Sequence, residues 1–289
     1  MKIDGKKIAQ DCIENLKIKY DELVKKSGRD AMLVVIMVGD NYASRIYVKN
    51  KEKSCEKIGI KPKTIVLDEN ISENDLIDLI KKFNNDKTVD GILVQLPLPA
   101  HMDQIKICSY IDDEKDVDGF TPNNIGKLLL GKDGLKPATA NAVVKILNTH
   151  NIPIAGSDVV IIGRSNIVGK PLSMMLTNMS ATVQTCHRQT KNIDDKIKNA
   201  DIIIAAAGYK NLINETHKFK NGVTLIDVGI NRDNNGKLCG DIAFDKLIDN
   251  QNVKYITPVP GGVGPVTVAC LMENIIEGFE RNINEKNID

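Results

Sequence analysis

Apolar positions along this chain alternate between two patterns, the 3.6-residue spacing of amphipathic helices and short continuous runs typical of buried strands. Ile8, Cys12, Leu16 and Leu23 fall on one helical face, and Asp4 stands ahead of them as a cap. The run from Ala31 to Val38 is apolar on both faces, which suits a central parallel strand, and Gly39-Asp40-Asn41 ends it. The pattern next predicts a helix from about Ser44 to Ile58 stopped by Gly59, and a strand over 64–67. A helix capped by Ser72 follows to about Phe83, then a buried strand over 91–95 that ends at Leu96-Pro97-Leu98-Pro99. In the second half, strands are expected over 158–162, 181–185, 201–205 and 222–226. Helices are expected over about 139–150, from about Gly169, and over about 266–281. Strands alternating with helices from end to end imply an α/β protein with parallel sheets covered on both faces, one sheet per half.

A length of 289 residues allows two modest domains, each able to bury a core. Lys and Arg number 39 against 38 Asp and Glu, so no electrostatic feature favours nucleic acid or an anionic membrane as partner. Trp is absent and aromatics make up 4%, which argues against a base-stacking surface. No charge-free run is long enough to span a bilayer, and the N-terminus lacks an apolar signal region; a cytoplasmic protein is expected. Cys12, Cys55, Cys108, Cys186, Cys239 and Cys270 are scattered, without metal-ligand spacing to each other or to the histidines. They read as reduced thiols, and no metal is expected.

The segment from Gly163 to Pro171 (GRSNIVGKP) lies between a buried strand and a helix, where phosphates approach backbone N–H groups and a helix N-terminus. It departs from G-x-G-x-x-G at the second glycine, where Ser165 stands, and by itself also fits a plain tight turn. The next strand ends Thr185-Cys186-His187-Arg188 and carries no acid for ribose hydroxyls. Arg164 and Arg188 suit a 2′-phosphate instead, which makes NADP the expected cofactor. In the first half, Ser44, Tyr47 and Lys51 share one helix face just after a strand's C-terminal end, where open parallel sheets bind ligands. Gln95 ends another buried strand at that edge. Asp118 lies in the acidic loop 115–120 (KDVDGF). A lysine near an aromatic ring and an amide can transfer protons if desolvation lowers its pKa; the same spacing also fits an ordinary helix surface.

Six segments in order carry a resemblance to a known family: Gly39-Asp40-Asn41 with Ser44, Tyr47, Val48 and Lys51; 94–99 (VQLPLP); 115–120; 163–171; 226–231 (IDVGIN); and 258–265 (PVPGGVGP). Over essentially its whole length the chain resembles bifunctional methylenetetrahydrofolate dehydrogenase/cyclohydrolases. The resemblance implies a folate-binding catalytic domain over 1–138 and a Rossmann-like NADP-binding domain over 139–265. It also implies a C-terminal helix, 266–289, packing back on the first domain. It implies Lys51 as general acid/base, Gln95 as its tuning partner, Tyr47 stacked on the aminobenzoate of the folate, and Asp118 hydrogen-bonded to the pterin. Ser44, Leu96, Pro97, Pro260, Gly261 and Gly262 would complete the folate side. Gly163, Arg164, Ser165, Ile167, Arg188, Thr139, Gly208, Gly229 and Ile230 would hold NADP. A homodimer through the cofactor domains is likewise implied.

One segment departs from the family pattern Pro-Cys-Thr-Pro followed by Gly: here it reads Pro137-Ala138-Thr139-Ala140-Asn141-Ala142, a better helix former. Three other readings remain open on sequence alone. They are a family dehydrogenase without cyclohydrolase activity, a different two-domain NAD(P) dehydrogenase, and a non-enzymatic NADP sensor.

Overall fold

A computed structural model describes residues 1–233 and 235–285. The expected helix 266–289 therefore includes four positions, 286–289, outside the described residues. In chain order the elements are α1 (Gly5–Ser27), β1 (Met32–Val38), α2 (Tyr42–Ile58), β2 (Lys61–Leu67), α3 (Glu73–Asn84), β3 (Gly91–Val94), α4 (Gln104–Cys108), α5 (Pro122–Leu129), α6 (Ala138–Thr149) and β4 (Asp158–Ile162). They continue with α7 (Gly169–Asn178), β5 (Thr182–Cys186), α8 (Ile193–Asn199), β6 (Ile202–Ala205), β7 (Val223–Asp227), β8 (Asn231–Arg232), β9 (Leu238–Cys239), α9 (Phe244–Leu247), β10 (Val253–Ile256) and α10 (Val263–Glu285).

Contacts divide the chain into two compact units. One comprises Asp11–Ala138 with Val268–Asp289, the other Met1–Gln10 with Thr139–Thr267. The first ten residues join the second unit because Lys2 bridges Ile256 in parallel and the Ile3 N–H donates to the Ile256 carbonyl at 2.9 Å.

The first unit holds a parallel three-stranded sheet in the order β2-β1-β3. β1 is central and almost wholly buried, as its two-sided apolar run requires. β2 starts three residues before the expected strand, since Lys61 to Lys63 pair with Met32 to Val34. Pro62 is tolerated there because β2 is an edge. Val34, Ile36, Leu76, Ile80, Ile92 and Ile107 form one side of the core. The Ser72 side chain accepts from the Asp75 N–H, so the α3 cap falls where the sequence puts it. α10 packs back on this unit: the Asn274 side chain donates to the Val117 and Lys136 carbonyls at 2.8 Å each.

The second unit holds a parallel five-stranded sheet in the order β10-β7-β6-β4-β5, beside a small β8-β9 hairpin. Its core gathers Val160, Ile162, Ile203, Ala205, Leu225 and Ile256. The Asp4 side chain accepts from Lys6 and Lys7 N–H groups at 3.0 and 3.2 Å, which makes it the start of α1. Pattern reading passed over α4, α5, α8, α9, β10 and the hairpin, all short elements whose periodicity is barely sampled.

Candidate active site

In the first unit β3 ends at Val94 beside Ile36, and its neighbour β1 runs two residues further to Val38. Gln95 follows directly, its N–H donating to the Ile36 carbonyl at 2.8 Å. α2 begins two residues earlier than expected, because Asn41 caps it by accepting from the Ser44 N–H at 3.1 Å. Ser44 and Val48 face inward, Tyr47 is 44% exposed, and Lys51 lies half-buried between these faces. The Lys51 ammonium donates to Gln95 Oε1 at 3.2 Å. Gln95 in turn donates from Nε2 to the Leu96 carbonyl at 2.7 Å, which fixes its amide and aims Oε1 at the lysine. Leu96 is half-buried, Pro97 is exposed, and the bond between them is cis.

Asp118 reaches the same place on a braced loop. Asp116 bridges Ile92 in parallel, which carries the loop along β3 toward Gln95. The Asp116 carboxylate is buried and accepts from Gly119 N–H at 3.0 Å, Thr121 N–H at 2.7 Å and Asn124 Nδ2 at 3.0 Å. Gly119 has φ +71°, and a Cβ there would sit 2.5 Å from the Lys136 carbonyl carbon, so only glycine fits behind Asp118. Burial pushes the Asp118 carboxyl up, and the Lys51 charge pulls it back down. The structure thus brings Lys51, Gln95 and Asp118 into one electrostatic group. The sequence reading missed the supports: Asp116 was visible only as part of a motif, and Asn274 is remote in sequence from the loop that it pins.

In the second unit, β4, β5 and β6 end together. Gly163 N–H donates to Cys186 O at 2.9 Å and Ala206 N–H to Ile162 O at 2.8 Å. Ile162 pairs with Cys186, so Arg164 and Arg188 each follow two residues after paired strand ends. Both arginines are exposed. Two glycines keep the steric roles of a dinucleotide turn. A Cβ on Gly163 would lie 2.2 Å from the Ala206 carbonyl oxygen, and one on Gly169 the same distance from that of Gly163. Ser165, at the missing second glycine, accepts at Oγ from Val168 N–H at 3.2 Å and Gly169 N–H at 3.4 Å, closing the turn onto α7. Ile167 is 45% exposed beside it. This cradle and its two exposed guanidinium groups fit a phosphorylated dinucleotide.

Gly208 and Gly229 lie in the turns after β6 and β7, and Ile230 is 57% exposed. Thr139 is the second residue of α6, half-buried, while Ala138, Ala140 and Ala142 are buried. Pro260 is exposed; Gly261 and Gly262 form a loop held by the Gly5 N–H, which donates to the Gly261 carbonyl at 3.0 Å.

The catalytic-domain model of tetrahydrofolate dehydrogenase/cyclohydrolase matches residues 3–118, and the NAD(P)-binding-domain model matches residues 137–283. The chain belongs to the tetrahydrofolate dehydrogenase/cyclohydrolase family. The bifunctional protein FolD of Agathobacter rectalis is 46% identical, over 96% of this chain and 99% of the relative. A crystal structure of the bifunctional FolD enzyme from Campylobacter jejuni superposes with a TM-score of 0.94 at 47% identity, covering 97% of this chain and 99% of that one. The Trypanosoma brucei dehydrogenase-cyclohydrolase, solved with NADP and an inhibitor, gives 0.90 at 35% identity, covering 97% of each chain. Among the described residues no helix is long and apolar enough to cross a membrane.

In this family member the nucleotide unit also buries a titratable group. Burial pushes the Asp227 carboxyl up to about 7, against the pull of the N–H groups it accepts from, and the Asp241 charge adds to the rise. A carboxyl raised on folding contributes stability that is full below its unfolded pKa, about 4, and is lost as pH rises through the folded value. The thermal midpoint is therefore expected to fall between about pH 4 and pH 7 more steeply in the unaltered protein than in Asp227→Asn. Parallel slopes in scanning calorimetry would remove Asp227 as the cause.

Proposed function

We propose that the chain oxidises 5,10-methylenetetrahydrofolate to 5,10-methenyltetrahydrofolate with NADP and hydrolyses the methenyl product to 10-formyltetrahydrofolate. The observation that carries this reading is the Lys51–Gln95 hydrogen bond with Asp118 beside it, since a dehydrogenase alone needs no proton-transfer group of this kind. In this assignment residues 1–138 and the C-terminal helix bind folate, while 139–265 bind NADP.

NADP, when bound, accepts the hydride. Gly163, Arg164, Ser165 and Arg188 hold its phosphates, and Ile167, Thr139, Gly208, Gly229 and Ile230 border the rest. The folate nitrogens stabilise the cation that oxidation leaves, so the protein's task in that step is orientation. Asp118 binds the pterin, Tyr47 covers the aminobenzoate, and Ser44, Leu96, Pro97, Pro260, Gly261 and Gly262 complete the folate surround. Hydration of the methenyl carbon needs a proton removed from water and one delivered to the departing ring nitrogen. Lys51 moves both: its neutral amine takes the proton from water, and the ammonium so formed, donating to Gln95 Oε1, delivers one to the nitrogen.

The protein acts as a cytoplasmic homodimer in this reading. The edge strand β5, with Thr182, Gln184 and Thr185 exposed, supports pairing through the nucleotide units. NADPH and methenyl absorbance followed together test the activity. NADPH is expected to rise without methenyl accumulation, and faster than NADH does when NAD replaces NADP. Accumulating methenyl would leave a dehydrogenase alone.

A further inference from the structure

Two carboxylates interlock behind the ends of β6 and β7. Asp241 is fully buried and accepts four hydrogen bonds. Its Oδ2 takes the Ala207 and Gly208 N–H groups at 2.7 and 2.9 Å, and its Oδ1 takes the Tyr209 N–H at 2.9 Å and Asn231 Nδ2 at 2.8 Å. Three successive backbone N–H groups converging on one point make an anion-binding nest, and here the protein's own carboxylate fills it. The turn after β6 therefore borders a ligand instead of gripping its phosphate.

Asp227, also buried, stands behind Asp241. Its Oδ1 accepts from the Gly229 N–H at 2.9 Å and the Asp241 N–H at 3.0 Å, and its Oδ2 from the Ile242 N–H at 2.8 Å. Fit is close on both sides. A Cβ on Gly229 would lie 2.1 Å from Asp241 Oδ1, and one on Gly240 would lie 1.9 Å from Asp227 Oδ2. The pair thus ties the 207–209 turn to the 229–231 segment, while Tyr209 and Ile230 project outward, 68% and 57% exposed. The bonds to the Asp241 carboxylate are charge-assisted and hold backbone more firmly than neutral ones.

We infer that Asp241 is a positioning residue for the NADP-dependent reaction. Its carboxylate, held by Asp227, sets the two turns that carry Gly208 and Ile230. The inference rests on the assignment of those turns to the cofactor site. Asp241→Asn keeps the shape but turns an amide N–H toward backbone N–H groups, so the nest loses its anion and part of its bonding. Lys51, Gln95 and Asp118 are untouched by that change, and hydrolysis of methenyltetrahydrofolate consumes no NADP.

The test compares full-length unaltered protein with Asp241→Asn and Asn231→Ala, measuring NADP KM and kcat for NADPH formation, NADP binding by calorimetry, and hydrolysis without NADP. For Asp241→Asn the expected result is a loss of about tenfold to a hundredfold in kcat/KM for NADP with hydrolysis within about twofold, as displacement of orienting groups predicts. Asn231→Ala, which removes one of the four bonds, should shift the same ratio less, and it decides the matter if Asp241→Asn does not fold. Parallel loss of both activities would make the pair a support of the fold only and overturn the inference, as would unchanged NADP parameters in both variants. If the unaltered protein itself failed to bind NADP, the cofactor assignment and the inference would fall together.

Discussion

Lys51→Met is expected to slow methenyltetrahydrofolate hydrolysis by about 10²–10⁴-fold, the usual share of a positioned acid/base, while NADPH formation persists. Met keeps the length and helix propensity of Lys, so α2 should remain intact. What disappears is the ammonium that donates to Gln95 Oε1 and the charge that opposes the rise of the Asp118 carboxyl. With that charge gone, Asp118 is left to burial alone and its carboxyl moves further up. Residual dehydrogenase activity should therefore fade at a higher pH than before as pH is lowered. Oxidation places no demand on Lys51 for a proton, so the two activities should separate. Stopped-flow decay of methenyl absorbance, alongside NADPH formation, measures both. Hydrolysis at near-normal rate would take Lys51 out of its assigned role.

Gly163→Ala should do the reverse, removing NADP-dependent oxidation and sparing hydrolysis. The added methyl would sit 2.2 Å from the Ala206 oxygen and 2.7 Å from its carbon, with φ at +138°. Neither backbone can retreat, because the Ala206 N–H is bonded to Ile162 and the Gly163 N–H to Cys186. Conformational strain alone is worth about 1–3 kcal/mol, and the overlap adds to it. The turn that presents Arg164 and Ser165 must shift, and a misplacement of about 1 Å in an orienting group costs roughly a hundredfold in rate. Steady-state rates for both reactions, with a thermal melt to establish folding, decide the outcome. An unchanged KM for NADP would show that this turn does not hold the cofactor.

Much of the architecture was legible because its strands are buried on both faces. β1, residues 159–162 of β4 and β6 are continuous apolar runs that no surface helix would tolerate, and their alternation with helices leaves parallel sheets as the solution. The nucleotide turn was legible for a steric reason. Gly163 and Gly169 are where backbone meets backbone, and a glycine between a buried strand and a helix announces that contact. The face of Ser44, Tyr47 and Lys51 followed from helical spacing, and six motifs in order tied it to a family.

Tertiary structure decided what those residues meet. Lys51 and Gln95 lie 44 positions apart, and only the parallel pairing of β1 with β3 sets the amide at the lysine. Asp116 and Asp118 look alike in sequence, yet one is spent on three hydrogen bonds that brace the loop and the other is left to burial and the Lys51 charge. The interlock of Asp227 and Asp241 has no periodic signature, since its donors are backbone N–H groups whose direction depends on turn geometry. Local pattern by itself determined the longer elements and the chemistry available to this chain, but not the short elements from α4 to β10 that it passed over. The distribution of hydrogen bonds among buried carboxylates was decided by long-range packing, because a side chain's charge and proton depend on neighbours that only the folded chain supplies.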